Sequence, residues 1–136
     1  MGAELTRLKG WEERFIDAML VEQEAPFEWG KHDCAILMAA SVRAIHGEDH
    51  PALEEFKKYK DEKTAKKHLA KNGGLVKLIE KYFEPINALS AQQGDIGVVE
   101  ADGFASGAVI VDGMALGKSP EGVFRVPIKI RWKALS

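Results

Sequence analysis

Cysteine is nearly absent from this sequence: 136 residues contain only one, Cys34. An internal disulfide is therefore excluded, and the scattered histidines do not give the ligand spacing of a zinc site, so no metal is predicted. Long apolar runs are also missing, because no stretch approaches the roughly 20 residues that cross a bilayer. The N-terminal segment lacks the basic start and apolar core of a signal peptide, which predicts synthesis in a reducing cytoplasm.

Neither sign of charge is in large excess, because 19 basic residues stand against 21 acidic ones and the net charge is −2. We therefore expect no nucleic-acid partner. A Walker motif, a GxGxxG turn after a strand and a Gly-x-Ser-x-Gly motif are all absent, so no nucleotide or other cofactor is predicted. The lysines between Lys57 and Lys71 are interleaved with acidic residues and indicate a solvated helix face.

The chain is long enough for one domain with its own core. The spacing of its apolar residues differs between the first and second parts of the sequence. Residues 5–84 repeat apolar side chains at helical spacing. The first predicted helix starts near Leu5, ends before Pro26 and can be interrupted by Gly10. Later helices are predicted from Pro51 to about Tyr59, over 62–71 with Asp61 as the cap, and over 75–82.

Residues 94–133 have the short β-branched runs of strands. Strands are predicted over 94–100, 108–111 and 123–126, with a final edge strand over 128–132. Turns are predicted at 102–103, 112–113 and 120–122, where Asp-Gly and Pro-Glu-Gly stand between the runs. Helices followed by strands predict an α+β domain, with N-terminal helices packed on a small antiparallel C-terminal sheet.

The single cysteine falls where another predicted helix begins. Asp33 is a favourable N-cap, Ala35 onward favours helix, and Gly47 is a natural stop. A thiol in the first turn feels the positive end of the helix dipole, which predicts a lowered pKa and a nucleophilic sulfur. The alternative is that Cys34 is a small core residue, since free cysteine is among the most buried residue types.

The segment from Phe27 through Trp29-Gly30 to Asp33-Cys34, opening an Ala-rich helix, resembles small phage and prophage proteins related to NlpC-type cell-wall peptidases. The resemblance covers roughly residues 11–135. It extends through Gly94-Asp95 before a Val-rich strand, the 108–113 segment and the final stretch that ends at Trp132. It implies a single papain-like domain over 1–136, in which the helix carrying the cysteine packs against the sheet.

The histidine that the resemblance implies is missing from this sequence. A cysteine hydrolase needs an imidazole within hydrogen-bond reach of its thiol. NlpC-type enzymes carry it on the strand after the Gly-Asp strand, and the corresponding stretch here, 105–113, contains no histidine. His46 lies twelve residues along the cysteine's own helix, roughly 18 Å away at 1.5 Å per residue. His50 is expected in a solvated turn and His68 on an exposed helix face. His32 is the remaining candidate.

The candidate site is therefore Cys34 as nucleophile and His32 as base, with Trp29 and Asp33 as substrate-binding positions. His32 can instead bond loop carbonyls. Trp29 is expected to be a wall beside the cysteine's helix or a stacking surface for substrate, and Asp33 a cap. Asp95 is expected to bond its own turn.

Three functions follow from these expectations. The first is a non-catalytic tail-tip protein of a phage, made in the bacterial host cytoplasm, carried in the virion and bound to other tail proteins. The second is a cysteine endopeptidase or amidase that cleaves peptidoglycan stem peptides during phage entry. Cys34 would attack the carbonyl, with His32 or a histidine supplied by a partner as base and backbone N–H groups at the helix start holding the oxyanion. The third is an unrelated cytoplasmic binding module.

Overall fold

The computed structural model describes residues 7–87, 90–101, 104–127 and 134–135. Five helices come first and the strands follow, so the α+β class is confirmed. The helices are α1 (Trp11–Glu24), α2 (Cys34–His46), α3 (Ala52–Glu55), α4 (Glu62–Lys71) and α5 (Leu75–Glu80). The strands are β1 (Pro85–Ile86), β2 (Ile96–Ala101), β3 (Phe104–Val111), β4 (Met114–Ser119), β5 (Gly122–Pro127) and β6 (Ala134–Leu135).

The strands form one antiparallel sheet in the order β1-β6-β2-β3-β4-β5. β2 to β5 are successive hairpin neighbours, whereas β6 returns to lie between β1 and β2. Asp112 and Gly113 connect β3 to β4 with φ values of 50° and 79°. These angles belong to the turn type that favours Asp-Gly, so the predicted turn is confirmed.

Helix α2 lies at the centre of the helical layer, because it packs on α1 on one side and on β3 and β4 on the other. Its buried side chains join those of α1 and of one sheet face in the main core. The opposite sheet face carries a second cluster of Val99, Ala108, Ile110 and Ala115. The buried α2 hydroxyl of Ser41 also donates to the Gly94 carbonyl oxygen at 2.9 Å. The helix that carries the cysteine is thus fixed against the sheet.

Several predicted elements are confirmed by their caps. Asp33 accepts a hydrogen bond from the Ile36 N–H at 2.9 Å, and α2 ends at Gly47, which has a φ of 93°. Asp61 caps α4 in a reciprocal arrangement with Thr64. Both caps were readable because a short acceptor side chain precedes each apolar repeat.

Other boundaries were wrong. Gly10 does not merely interrupt the first helix, since α1 begins after it at Trp11. The helix from Pro51 shrinks to Ala52–Glu55 and continues only as turns. Strand β4 was missed because its residues, MALGKS, contain little of the β-branched signal that marks a strand. Its four central residues are nevertheless buried, since both sheet faces are covered.

Some expectations fall outside the described residues, namely Leu5, the 102–103 turn and the edge strand over 128–132. Residues Ala134–Leu135 that follow pair with both β1 and β2. Among the helices that the structure describes, none has the length and apolar character needed to cross a membrane.

Candidate functional site

Cys34 is the first residue of α2 and points toward the central strand β3. Its thiol has hydrogen bonds with the Gly107 backbone and the Ser106 hydroxyl. Gly107 allows this close approach, because a Cβ there would lie 2.6 Å from the Met38 sulfur on the same helix. Met38 is itself fully buried. The start of α2 therefore rests directly on β3.

The environment of the thiol does not favour thiolate. Burial raises the pKa of Cys34, and the negative charge of Asp33 raises it further. Hydrogen bonds from Gly107, Ser106 and the cysteine's own backbone act in the opposite direction but do not prevail. The expectation of a lowered pKa was therefore wrong, because desolvation outweighs the helix N-terminus. The residue as a whole keeps intermediate exposure.

Asp33 is completely buried and has three donors. Besides the Ile36 N–H, it accepts the Gly30 N–H at 2.7 Å and the Tyr59 hydroxyl at 2.7 Å. Burial and the Asp33 charge raise the pKa of Tyr59 far above its usual value, so the phenol stays protonated as a donor. Asp33 thus ties the loop before α2 to the segment after α3.

Gly30 explains how the two segments come so close. It has a φ of +81°, and a Cβ at this position would lie 2.8 Å from the Lys60 carbonyl oxygen. The loop also closes on itself, since Glu28 and His32 exchange backbone hydrogen bonds of 3.2 and 2.8 Å. A side chain at Gly30 would separate the loop from Lys60, which explains why glycine follows Trp29.

His32 turns toward α1. Its Nδ1 lies 3.2 Å from the Glu22 carboxylate, rather than against the loop carbonyls expected as its alternative partners. No histidine is among the groups that shift the pKa of the Cys34 thiol. Glu22 is only 6% exposed, and a buried carboxylate is costly unless it is hydrogen-bonded or paired. The His32 ring provides such a partner.

Glu22 also meets a buried cation that the sequence did not single out. The Lys118 Nζ donates to the Glu22 carbonyl oxygen at 2.6 Å and lies 4.0 Å from its carboxylate. Burial lowers the pKa of Lys118, whereas the charges of Glu22 and Asp33 raise it. Lys118, His32 and Glu22 therefore join α1, β4 and the loop before α2. No sequence signal singled out Lys118, because the strand that carries it, β4, was not predicted.

The expectation that His50 is solvated was wrong, since it is 5% exposed and stacks on Phe83 with ring centroids 5.0 Å apart. Its Nδ1 accepts the Ala52 N–H at 3.0 Å, which caps α3. Burial lowers the pKa of His50 to about 4, and the nearby His46 ring contributes to the shift. His50 is thus a neutral core residue at neutral pH.

His68 was also wrongly expected to be exposed. Its side chain is 15% exposed, and its Nε2 lies 2.6 Å from the buried carboxylate of Glu55. Tyr82 donates to the same carboxylate at 2.6 Å. These hydrogen bonds and the neighbouring Lys58 hold the pKa of Glu55 below its usual range, although burial opposes them. The cluster links α3, α4 and the end of α5.

Two further expectations concern Trp29 and Asp95. Trp29 is half-buried and meets Phe27 edge to face at 5.1 Å, so its role beside the thiol stays a prediction. Asp95 accepts the Gln92 N–H at 2.8 Å, which confirms its place in the turn. The structure adds an ion pair with Arg7 at 2.8 Å that the sequence did not reveal.

The arrangement brings together a thiol, a serine hydroxyl and a backbone donor, but it supplies no general base. A thiol with a raised pKa is a weak nucleophile near neutral pH unless a base removes its proton. Among the described residues, no group of three or more His, Cys, Asp and Glu side chains is placed to hold a metal ion. The geometry favours structural use of the buried polar residues.

Comparison with known families gives one match. A family model, described as a domain of unknown function, DUF6950, matches residues 6–135. The chain belongs to the DUF6950 family. The match covers the cysteine helix and the sheet alike. No curated protein and no solved structure matches this DUF6950 chain.

Proposed function

We propose that this DUF6950 chain is a structural protein of a phage tail, near the tail tip, built on an NlpC-like fold that has lost its catalytic imidazole. The observation that carries the proposal is the set of partners around the Cys34 thiol. They are Ser106 and Gly107, which lie on the strand where the resemblance implies a histidine. Neither a serine hydroxyl nor a backbone amide can take up the thiol proton near neutral pH, so these two partners supply no base.

The other histidines support the same conclusion, because each is engaged elsewhere. His32 bonds Glu22, His50 caps α3 under Phe83, and His68 bonds Glu55. His46 is the last residue of α2, at the opposite end from the thiol. A working peptidase would need one of these rings to leave its partner, or a histidine supplied by another protein. Binding to neighbouring tail proteins requires no such change.

Digestion of purified peptidoglycan sacculi tests the proposal against the peptidase alternative. The wild-type protein and Cys34→Ala are incubated with sacculi, and released muropeptides are separated by liquid chromatography. We expect no release by either protein. Release by the wild type alone would establish a cysteine hydrolase and overturn the structural role.

The tail assignment needs a separate test in the phage or prophage that encodes the chain. We expect deletion of the gene to prevent formation of infectious particles and the Cys34→Ala gene to restore their titre. Mass spectrometry of purified particles should detect the chain in the tail fraction. Normal particles from the deletion strain, or particles without the chain, would refute the tail role.

A further inference from the structure

The outer face of α1 carries an apolar centre with acidic residues around it. We define the α1 stripe as the exposed residues Glu13, Ile16, Asp17, Leu20, Val21 and Glu24. Ile16, Leu20 and Val21 are 42%, 52% and 61% exposed, which is unusual for three large aliphatic side chains on one helix. Such a surface typically marks an interaction site.

A second surface has the opposite charge. We define the lysine face as the exposed residues Lys60, Lys63, Lys67, Ala70 and Lys71, which lie along α4 and just before it. Ala70 leaves room at its centre, and lysine side chains can cover apolar surface with their methylene stems. α1 and α4 thus present complementary charge on two separate helices of one chain.

The spacing of the charges matches when the two helices run antiparallel. Glu13 and Asp17 are four residues apart on α1, as Lys71 and Lys67 are on α4 when it is read backward. Helices of 14 and 10 residues span about 21 and 15 Å, so α4 can lie along most of α1. Antiparallel packing also places the helix dipoles favourably. Ile16 and Leu20 would then lie against Ala70 and the lysine stems.

We propose that copies of this chain associate head to tail, with the α1 stripe of one copy docked antiparallel on the lysine face of the next. Pairing of two α1 stripes is disfavoured, because it would oppose carboxylates with carboxylates. When two copies pair through two different surfaces, the pair keeps one free α1 stripe at one end and one free lysine face at the other. Such a heterologous contact produces a ring or a filament. The inference does not rest on the proposed function, since it concerns the purified chain alone.

Sedimentation velocity of the full chain across a wide concentration range tests the proposal. We expect the wild type to form species larger than a dimer, and association should weaken at high salt because the charges are exposed. Asp17→Lys and Lys67→Glu should each weaken association by about tenfold, since each opposes like charges across the interface. Circular dichroism confirms that each variant is folded.

Exchange of the charges makes the test specific. The double variant Asp17→Lys/Lys67→Glu, and an equal mixture of the two single variants, should both recover association to within about threefold of the wild type. Glu84→Lys and Lys9→Glu change the charge equally at exposed positions outside both surfaces and should have no effect. A monomer at every concentration, a symmetric dimer, or a double variant that is not restored would overturn the proposal.

Discussion

The hydroxyl of Ser106 on β3 bonds the thiol of Cys34 at the start of α2. This contact joins the helical half of the chain to the sheet. The serine hydroxyl lowers the pKa of the thiol, but burial outweighs this effect and the net shift is upward.

The protonation of Cys34 can be measured by its rate of alkylation with iodoacetamide as a function of pH. Because burial raises the pKa of the thiol, we expect the rate to rise with a midpoint above that of an ordinary free cysteine. The same chain unfolded in guanidinium provides the control, since its thiol is solvated. A folded midpoint below the unfolded one would contradict the prediction.

Replacement of Ser106 by histidine would supply the missing imidazole. We expect Ser106→His to lower the alkylation midpoint, because a histidine beside a thiol stabilises the thiolate as an ion pair. Ser106→Ala is the matched control and should raise the midpoint, since it removes a hydrogen bond that favours thiolate. If Ser106→His leaves the midpoint unchanged, residue 106 does not occupy the position that we assign to it.

Asp33 and Tyr59 should contribute strongly to stability. Asp33→Ala removes the cap of α2 and leaves two other buried donors without an acceptor, so we expect a loss of about 2–4 kcal/mol in the free energy of unfolding. Tyr59→Phe should cost about 1–2 kcal/mol. Because the residues share one hydrogen bond, the double variant should cost less than the sum. Urea denaturation measures all three.

The capping aspartate of α4 provides the comparison for this series. Asp61 is also an N-cap with a bonded carboxylate, but it is exposed. Asp61→Ala should therefore destabilise the protein less than Asp33→Ala. Equal losses at the two positions would show that the buried hydrogen bonds around Asp33 add nothing to its role as a cap.

Acid should destabilise the fold through His50. Its pKa is about 4 in the folded chain and roughly 6.5 when unfolded, so the unfolded state binds the extra proton first as pH falls. Above about pH 6.5, His50 does not change the free energy of unfolding. Between about pH 6.5 and 4, its protonation lowers the free energy of unfolding by about 3 kcal/mol in total. Below that range His50 contributes no further change.

The comparison variant for the acid effect is His50→Asn, whose side-chain oxygen can accept the Ala52 N–H as Nδ1 does. Urea denaturation of both proteins from pH 7.5 to pH 4 isolates the His50 contribution, because the other titrating groups are shared. The stability difference should shrink as pH falls. Parallel curves for the two proteins would refute the assignment.

The Phe124 ring on β5 packs against the backbone of Gly117 on β4. A Cβ at Gly117 would lie 2.2 Å from the ring, which is too close for any contact. We expect Gly117→Ala to cost about 1–3 kcal/mol by thermal or urea denaturation. Adding Phe124→Leu should recover part of the loss, because the smaller side chain frees the space. Two additive losses would indicate another cause.

Local signals in the sequence predicted the fold well. Asp33, Asp61 and Gly47 fixed three helix ends because capping depends on residues close in sequence. The Asp112-Gly113 turn was readable for the same reason. β4 was not, since its apolar character reflects burial between two covered faces rather than intrinsic strand preference.

The candidate site was less predictable, because its contacts join distant segments. Cys34 was placed correctly at the helix start, but its pKa depends mainly on burial against β3, which no local pattern reveals. Tyr59 and Lys118 carried no recognisable motif. His68 was misjudged because the neighbouring lysines suggested an exposed face, whereas its partner Glu55 lies on α3 and Tyr82, which donates to Glu55, follows α5.

The position of β6 between β1 and β2 has a consequence for biosynthesis. Within the described residues β1 pairs with β6 alone, so Pro85 and Ile86 have no described strand partner until Ala134 and Leu135 have been translated. The helices and the pairings from β2 to β5 can form earlier, since their residues all precede residue 128. Pairing of β6 with β1 and β2 therefore follows the rest of the sheet, and a ribosome stalled shortly before residue 134 would hold a chain in which this edge of β2 is open.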